Sequence, residues 1–270
     1  WNLIAYSFSN QLEVLSITSI IGSYGFNLFC ISLFTSPAVF VLREKKLDIG
    51  ICIFFLISII LLFVHGSFYK EKFDKISKKN YDFKVRVISS NISLDRFYRN
   101  IDPVSVIEDL IKISDPNPNE NIVFVWPEGI LPGISQDDLI DYKKLFDEKF
   151  NNNHLLIIGT NSQYTINGIK KYYNSFSIYD HELNIINSYN KIKLVPFGEF
   201  LPFENVLRKI GLRSLTNNYQ SFSNGKQRDI INLNQQNFLL KILPLICYEI
   251  IYSGRLFHNN DFDLIINISE

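Results

Sequence analysis

Two long apolar runs near the start of the chain constrain its fold more than any other feature. Residues 14–42 contain no charged side chain. At about 1.5 Å per residue, a helix of this length exceeds the ~30 Å hydrocarbon core of a membrane. A second apolar run, residues 49–65, follows a charged turn at 43–48. The pattern predicts two membrane spans, and the first span contains three residues that kink or split helices: Gly22, Gly25 and Pro37.

Two other readings of these runs compete with the spans. Buried core helices of a soluble protein are the first, but a soluble core rarely needs so long an uncharged run. A cleaved signal peptide fits poorly, because the first run is too long and a second one follows. The turn carries Arg43, Lys45 and Lys46, which favours a cytoplasmic turn, whereas the lysines at 70–79 favour the opposite. Long domains translocate despite their charges, so we expect the domain after the spans to lie outside the cytoplasm.

Composition excludes several partners and sites. Lys+Arg and Asp+Glu both number 27, so no global positive field favours nucleic acid. Cys30 and Cys52 lie in the apolar runs, where a thiol usually acts as a small hydrophobe. The cysteine spacing indicates neither disulfides nor a zinc site. The four histidines are scattered and no glycine-rich phosphate loop is present, so we expect neither a metal nor a cofactor.

From residue 83 the pattern is that of an α/β domain with a mixed sheet. Helices are predicted at Val104–Ile113 and Leu139–Lys149, and two strands flanking 180–182 predict a hairpin. The predicted strands are Phe83–Ser89, Asn121–Trp126, Leu155–Gly159, Ser175–Tyr179, Leu183–Ser188, Phe238–Ile246 and Leu264–Ile268.

The predicted organisation is a partial transmembrane region at 1–66, a linker at 67–82 and an α/β domain at 83–270. The chain contains no Met, opens at Trp1 and stops within a strand-like run. We therefore expect a fragment, truncated within the domain at its C-terminus.

Three short segments carry reactive side chains in unusual settings. In the first, Trp126-Pro127-Glu128, a strand ends in a proline-fixed turn that delivers a carboxylate, although a Glu in the first turn of a helix fits as well. In the second, residues 189–202, Lys191 and Glu199 stand among apolar and aromatic residues with two prolines and a glycine. Such a lysine is either a snorkelling surface residue or a buried, functional cation.

In the third segment, an apolar strand ends at Cys247, and Glu249 follows two positions later. A nucleophile at a strand end lies at the rim of a sheet, where substrate can reach it. A buried, inert cysteine is the alternative. A nearby cation and a nearby carboxylate act in opposite directions on a thiolate, so the sequence leaves the ionisation of Cys247 open.

The order Glu, Lys, Cys in these settings resembles the nitrilase superfamily. The residues of the three motifs are similar to those of its membrane-anchored branch, the apolipoprotein N-acyltransferases. The motifs are Trp-Pro-Glu, Tyr-Asn-Lys-x-x-Leu-Val-Pro-Phe-Gly-Glu-x-x-Pro and Cys-Tyr-Glu. The segments Trp1–Ser7 and Ser221–Gly225 are also similar to that branch. The resemblance implies a nitrilase-like α-β-β-α sandwich preceded by transmembrane helices. It also implies roles: Cys247 as nucleophile, Glu128 as general base, Lys191 as oxyanion stabiliser, and Glu199 and Glu249 as supporting carboxylates.

The resemblance further implies what the protein acts on. An acyl chain would pass from a glycerophospholipid through a Cys247 thioester to the N-terminal amine of a diacylglyceryl-cysteine lipoprotein, without a cofactor. The implied location is the bacterial inner membrane, as a multi-pass protein with its catalytic domain on the periplasmic side. A membrane-anchored nitrilase-type amidohydrolase and an inactive fragment are the two alternatives.

Overall fold

The computed structural model describes residues 3–75, 80–89, 102–131, 133–202, 221–235, 237–252 and 261–269. The chain divides into two compact units, Trp1–Asn80 and Tyr81–Glu270.

The N-terminal unit is helical. A 3-10 turn at Ile4–Phe8 and a short helix α1 (Leu12–Leu15) lead into α2 (Thr18–Val41) and α3 (Lys46–Asp74). Both long helices are long and apolar enough to cross a membrane. Gly22 leaves helical geometry (φ 72°, ψ 168°) and breaks α2 near its start, whereas Pro37 lies within it. Helix α3 ends at Asp74 rather than at residue 65, the predicted end of the second span, and so it occupies part of the predicted linker.

Many apolar side chains of α3 are exposed in this unit, although Ile59 and Leu62 pack against its core. Only Cys52 and Gly66 of α3 are buried, while most of its large aliphatic and aromatic side chains are exposed. Soluble proteins seldom expose apolar patches of this extent, which weighs against the soluble-core reading. At Gly66 a Cβ would overlap the backbone of Glu13. Beside this contact, Lys70 Nζ lies 2.8 Å from Glu13 Oε1, which joins α3 to α1.

The second unit contains a five-stranded mixed sheet. Its order is β1-β2-β3-β4-β5, with β1, β2 and β3 parallel, and β4 antiparallel to both β3 and β5. Strand β5 therefore runs in the same direction as β2, and both end at one edge of the sheet. The strands are β1 (Lys84–Val87), β2 (Ile122–Val125), β3 (His154–Ile166), β4 (Ile169–Tyr179) and β5 (Ile185–Asn190).

Three helical pieces accompany this sheet: α4 (Pro103–Ser114), a 3-10 turn at Asp138–Tyr142 and α5 (Lys143–Asp147). Helix α4 begins at Pro103 because Asp102 caps its first turn, accepting a hydrogen bond from Val104 N. Its apolar face, with Ile107 and Leu110 fully buried, packs in the core that covers one face of the sheet. The predicted helix at Leu139–Lys149 is wrong in its length, because a 3-10 turn takes up its first part.

A second sheet covers the other face of the first. It has the order β6-β7-β8, from β6 (Ile231–Gln235), β7 (Phe238–Ile246) and β8 (Leu264–Ile268). Side chains of both sheets form one core, with Val123 and Phe176 from the first sheet meeting Leu240 and Ile242 from the second. This mixed α/β sandwich confirms the predicted fold class. The described residues of this unit form helix-sheet-sheet layers.

The strand predictions missed one hairpin and one strand. Strands β3 and β4 extend well past the predicted 155–159 and 175–179, and Asn167-Gly168 joins them with both φ angles positive (53° and 76°). An Asn-Gly turn of this kind suits the twist of a tight hairpin. The predicted hairpin across 180–182 is confirmed as β4–β5, although β5 begins at Ile185. Strand β6 was not predicted.

Candidate active site

Glu128 follows the buried strand β2. Trp126 is fully buried, Pro127 turns the chain, and Gly129 takes a positive φ of 57° directly after the carboxylate. Strand β3 passes close behind: a Cβ at Gly159 would lie 2.5 Å from Glu128 Cα and 2.7 Å from Pro127 O. Because only glycine leaves room for this approach, the sheet itself fixes the backbone that carries Glu128.

Lys191 lies one residue beyond the end of β5, and its side chain is only 1% exposed. Its Nζ lies 3.2 Å from Glu128 Oε1 and 2.9 Å from Glu199 Oε1. Burial acts to lower the pKa of Lys191, but the two carboxylates outweigh it and hold the pKa above its ordinary value. Of the two readings of this lysine, the structure supports the buried cation.

Asn174, which sequence reasoning missed, joins the same cluster from within β4. Its Nδ2 donates to Glu128 Oε1 at 2.6 Å and to Glu199 Oε1 at 2.8 Å, so both amide hydrogens are used. Its carbonyl accepts the hydrogen bond of Lys191 N at 2.9 Å. Glu199 is also anchored through Oε2, which accepts from Val195 N at 2.8 Å. The hydrogen bonds that Glu128 accepts from Asn174 and Lys191 both go to its Oε1.

Cys247 follows β7 and opens a 3-10 turn, Cys247–Ile251. Its backbone is left-handed (φ 51°), a conformation that costs an L-residue about 1–2 kcal/mol. Burial raises the pKa of the Cys247 thiol and the charge of Glu128 raises it further, whereas a hydrogen bond with Ser269 and the charge of Lys191 act to lower it. The net direction is upward, so the thiol is neutral at neutral pH and needs a base to react. Because Glu128 and Lys191 both act on the pKa of the Cys247 thiol, the three predicted residues belong to one site.

Glu249 lies behind the cluster, and its side chain is fully buried. Oε1 accepts from Ile192 N at 3.0 Å and Lys193 N at 3.1 Å, while Oε2 accepts from Ile246 N at 3.1 Å. Tyr189 Oη donates to both oxygens, and Arg228 Nη2 lies 2.8 Å from Oε1. One carboxylate thus joins the backbone after Lys191 to the residue before Cys247.

These contacts define what the site can do. A neutral thiol lies beside a carboxylate that can accept its proton, and a buried ammonium contacts that carboxylate and acts on the thiol through its charge. This combination suits a nucleophilic thiol that attacks a carbonyl group, with the cation near the oxygen that becomes charged. Among the described residues, no group of three or more His, Cys, Asp or Glu side chains is arranged to hold a metal ion.

Comparison with known proteins adds the family. Residues 107–270 match the carbon-nitrogen hydrolase family. The apolipoprotein N-acyltransferase of Brucella suis is 26% identical over 277 residues, covering 100% of this chain and 51% of that protein. That of Rickettsia prowazekii is 29% identical over 290 residues, covering 100% and 53%. The amidase from Nesterenkonia sp. superposes with a TM-score of 0.42 at 12% identity, covering 71% of this chain and 66% of that one.

The chain spans about half the length of the curated relatives it matches. These relatives confirm the resemblance drawn from the three motifs, over the whole of the chain. Because the family match takes in well over half of the residues, including Glu128, Lys191 and Cys247, the chain belongs to the carbon-nitrogen hydrolase family.

Proposed function

We propose that this chain carries the catalytic centre of an apolipoprotein N-acyltransferase. Its reaction would move an acyl chain from a glycerophospholipid to the N-terminal amine of a diacylglyceryl-cysteine lipoprotein. The observation that carries the proposal is the buried Lys191, held between Glu128 and Glu199 and acting electrostatically on Cys247. The similarity to relatives bearing that name, over the full chain, supports the choice of substrates.

In the first half-reaction, Glu128 takes the proton of the Cys247 thiol as the sulfur attacks the ester carbonyl of the phospholipid. A general base is needed here, because the raised pKa of Cys247 keeps the resting thiol neutral. The tetrahedral oxyanion is stabilised by Lys191 and a backbone N–H near Cys247. The C–O bond then breaks, the lysophospholipid alkoxide takes the proton from Glu128, and an acyl thioester remains on Cys247.

In the second half-reaction, the amine of the lipoprotein attacks the thioester. Glu128 accepts a proton from the attacking nitrogen, the C–S bond breaks, and the proton returns to Cys247 as the amide leaves. Because the lysophospholipid leaves before the amine attacks the acyl thioester, the reaction is ping-pong, and the same base and cation serve both steps. Glu199 and Asn174 hold Glu128 and Lys191 at hydrogen-bonding distance throughout.

Membrane attachment distinguishes a transferase of lipids from a soluble amidase. Helices α2 and α3 would anchor the site at the bilayer, which raises the effective concentration of both lipid substrates. The exposed apolar side chains Phe197 and Ile250, close in sequence to Glu199 and Cys247, suit contact with an interface. We place the protein in a bacterial inner membrane as a multi-pass protein. The basic turn at 43–46 supports a periplasmic catalytic unit.

The test uses the full-length gene product with phospholipid and a diacylated lipopeptide, and follows N-acylation by mass spectrometry. We expect N-acylated peptide, and a Cys247 acyl thioester that persists when the amine is omitted. Loss of both products in Cys247→Ala, with both retained in Cys30→Ala, supports the proposed nucleophile. Acylation that survives Cys247→Ala would refute it. A thioester that hydrolyses at the same rate with and without the amine would favour the amidohydrolase alternative.

A further inference from the structure

A five-residue segment, Ser221–Gly225, runs along the loop that carries Lys191; we refer to it as the strap. Gly225 N donates to Lys191 O at 2.8 Å, and Asn224 Nδ2 donates to Ile192 O at 2.7 Å. The strap has no regular secondary structure, so these bonds fix it to the loop rather than to a strand ladder.

The strap also bonds to the far end of the same loop. Phe222 N donates to Glu199 O at 2.9 Å, and Ser223 N donates to Tyr172 O on β4 at 2.7 Å. The loop from Lys191 to Glu199 is therefore held at both ends by one short segment. These two ends carry the ammonium and the carboxylate that lie 2.9 Å apart.

Lys191 is clamped from two sides through its backbone. Its N–H is bonded to Asn174 O on β4, and its carbonyl accepts from Gly225 of the strap. A Cβ at Gly225 would overlap the carbonyl of Asn190, the residue before Lys191. Any side chain at this position must push the strap away from the loop or rotate the peptide that leads into Lys191.

We infer that the strap is a positioning element for Lys191, setting where its ammonium lies relative to Glu128, Glu199 and Cys247. This inference rests on the role proposed for Lys191. It explains why a glycine is needed where the strap meets the loop. It also gives residues 221–225 a part in the site.

The test reads the position of Lys191 through Cys247. The charged groups that act on the thiol are Glu128 and Lys191, and the charge of Lys191 acts to lower the pKa of Cys247. Iodoacetamide alkylation of Cys247 is followed against pH, by peptide mass spectrometry, in the full-length protein. We expect Lys191→Met to move the profile to higher pH by on the order of one unit. Gly225→Ala should move it in the same direction by a smaller amount.

The double variant shows whether the strap acts through Lys191. In a Lys191→Met background, Gly225→Ala should cause no further shift, because the cation that it displaces is gone. An equal shift in both backgrounds would overturn the inference, as would an unshifted profile in folded Gly225→Ala. If Gly225→Ala does not fold, Asn224→Ala, which removes the bond to Ile192, decides by the same criteria.

Asn232→Ala is the matched control. Its side chain is exposed on β6 and makes no hydrogen bond with the described residues, so the profile should stay in place. A shift in Asn232→Ala as large as that in the strap variants would count against a specific effect. Alkylation needs no acyl donor or acceptor. The strap can therefore be judged even where the full-length protein transfers no acyl group.

Discussion

Replacing Glu249 by Gln tests whether this buried carboxylate holds the site together. The substitution keeps the shape of the side chain but removes its charge and turns one oxygen into an NH₂ donor. With the amide nitrogen at the Oε1 position, four donors would face it, and only the hydroxyl among them can reverse its bond: Ile192 N, Lys193 N, Arg228 Nη2 and Tyr189 Oη. With the nitrogen at Oε2, it faces Ile246 N and Tyr189 Oη, and the tyrosine hydroxyl can reverse its bond.

The second orientation is the cheaper one, and its cost can be estimated. One buried backbone N–H loses its acceptor, which costs about 1–3 kcal/mol. Arg228 also loses a carboxylate 2.8 Å away whose side chain is fully buried. Removing one partner of a buried ion pair costs about 3–5 kcal/mol, and we take this range to include the lost backbone hydrogen bond. At roughly 2–4 °C per kcal/mol for a domain of this size, the melting temperature should fall by roughly 6–20 °C.

Differential scanning fluorimetry of the full-length protein in detergent measures this shift. The control is Glu120→Gln, the same chemical change in the exposed pair that Glu120 forms with Lys84 at 2.8 Å. Exposed pairs contribute about 0–1 kcal/mol, so this variant should melt within about 4 °C of the parent. If Glu249→Gln melted no lower than Glu120→Gln, the reasoning from buried hydrogen bonds would be refuted.

Three further changes test the catalytic cluster. Gly159→Ala adds a Cβ 2.5 Å from Glu128 Cα, and displacement of this proposed base should slow the proposed acyl-thioester formation by on the order of 100-fold. Asn174→Leu removes both bridging donors and should reduce that rate at least about tenfold, with KM for phospholipid unchanged. Glu128→Gln should move the alkylation profile of Cys247 to lower pH, because the charge that raises the thiol pKa is gone.

Matched variants separate these effects from general damage. Gly50→Ala is the control for Gly159→Ala, since no described atom outside its own stretch of helix lies within 4 Å of its added Cβ, and it should leave the rate unchanged. Thioester formation within about threefold of the parent in Gly159→Ala would contradict the close approach. A rise in KM with unchanged kcat in Asn174→Leu would point to substrate binding instead of positioning. A Cys247 profile that moved to higher pH in Glu128→Gln would contradict the sign derived above.

The site residues could be predicted from the sequence because they lie at or near strand ends. Lys191 follows β5 directly, Cys247 follows β7 directly, and Glu128 lies a short turn after β2. An apolar run that stops at a polar residue is visible in a sequence. Glu128 and Lys191 lie close together because β2 and β5 run in the same direction. The periodicity of apolar residues does not predict that direction. The resemblance of the three motifs to a known family predicted that the residues share one site, since each residue by itself had an equally good structural explanation.

Asn174 shows why other parts stayed hidden. It lies inside β4, and it reaches the cluster only because antiparallel pairing with β5 places it opposite Lys191. Pairing register is set by contacts between strands that are distant from the local sequence. The hairpin at Asn167-Gly168, by contrast, has turn residues that a sequence does show. The separation of β6, β7 and β8 into their own sheet depends on packing across the core, which leaves no local signature.

The left-handed backbone at Cys247 bears on how the protein could be held inactive for structural work. A position with φ of 51° suits glycine better than any residue with a Cβ. Replacement by alanine would remove the sulfur yet keep the unfavourable conformation, whereas replacement by glycine would remove both. A glycine variant should therefore be the more stable form in which to capture the proposed phospholipid substrate, unreacted, beside Glu128 and Lys191. At Cys247 the backbone conformation favours glycine, whereas the proposed nucleophile requires a side chain.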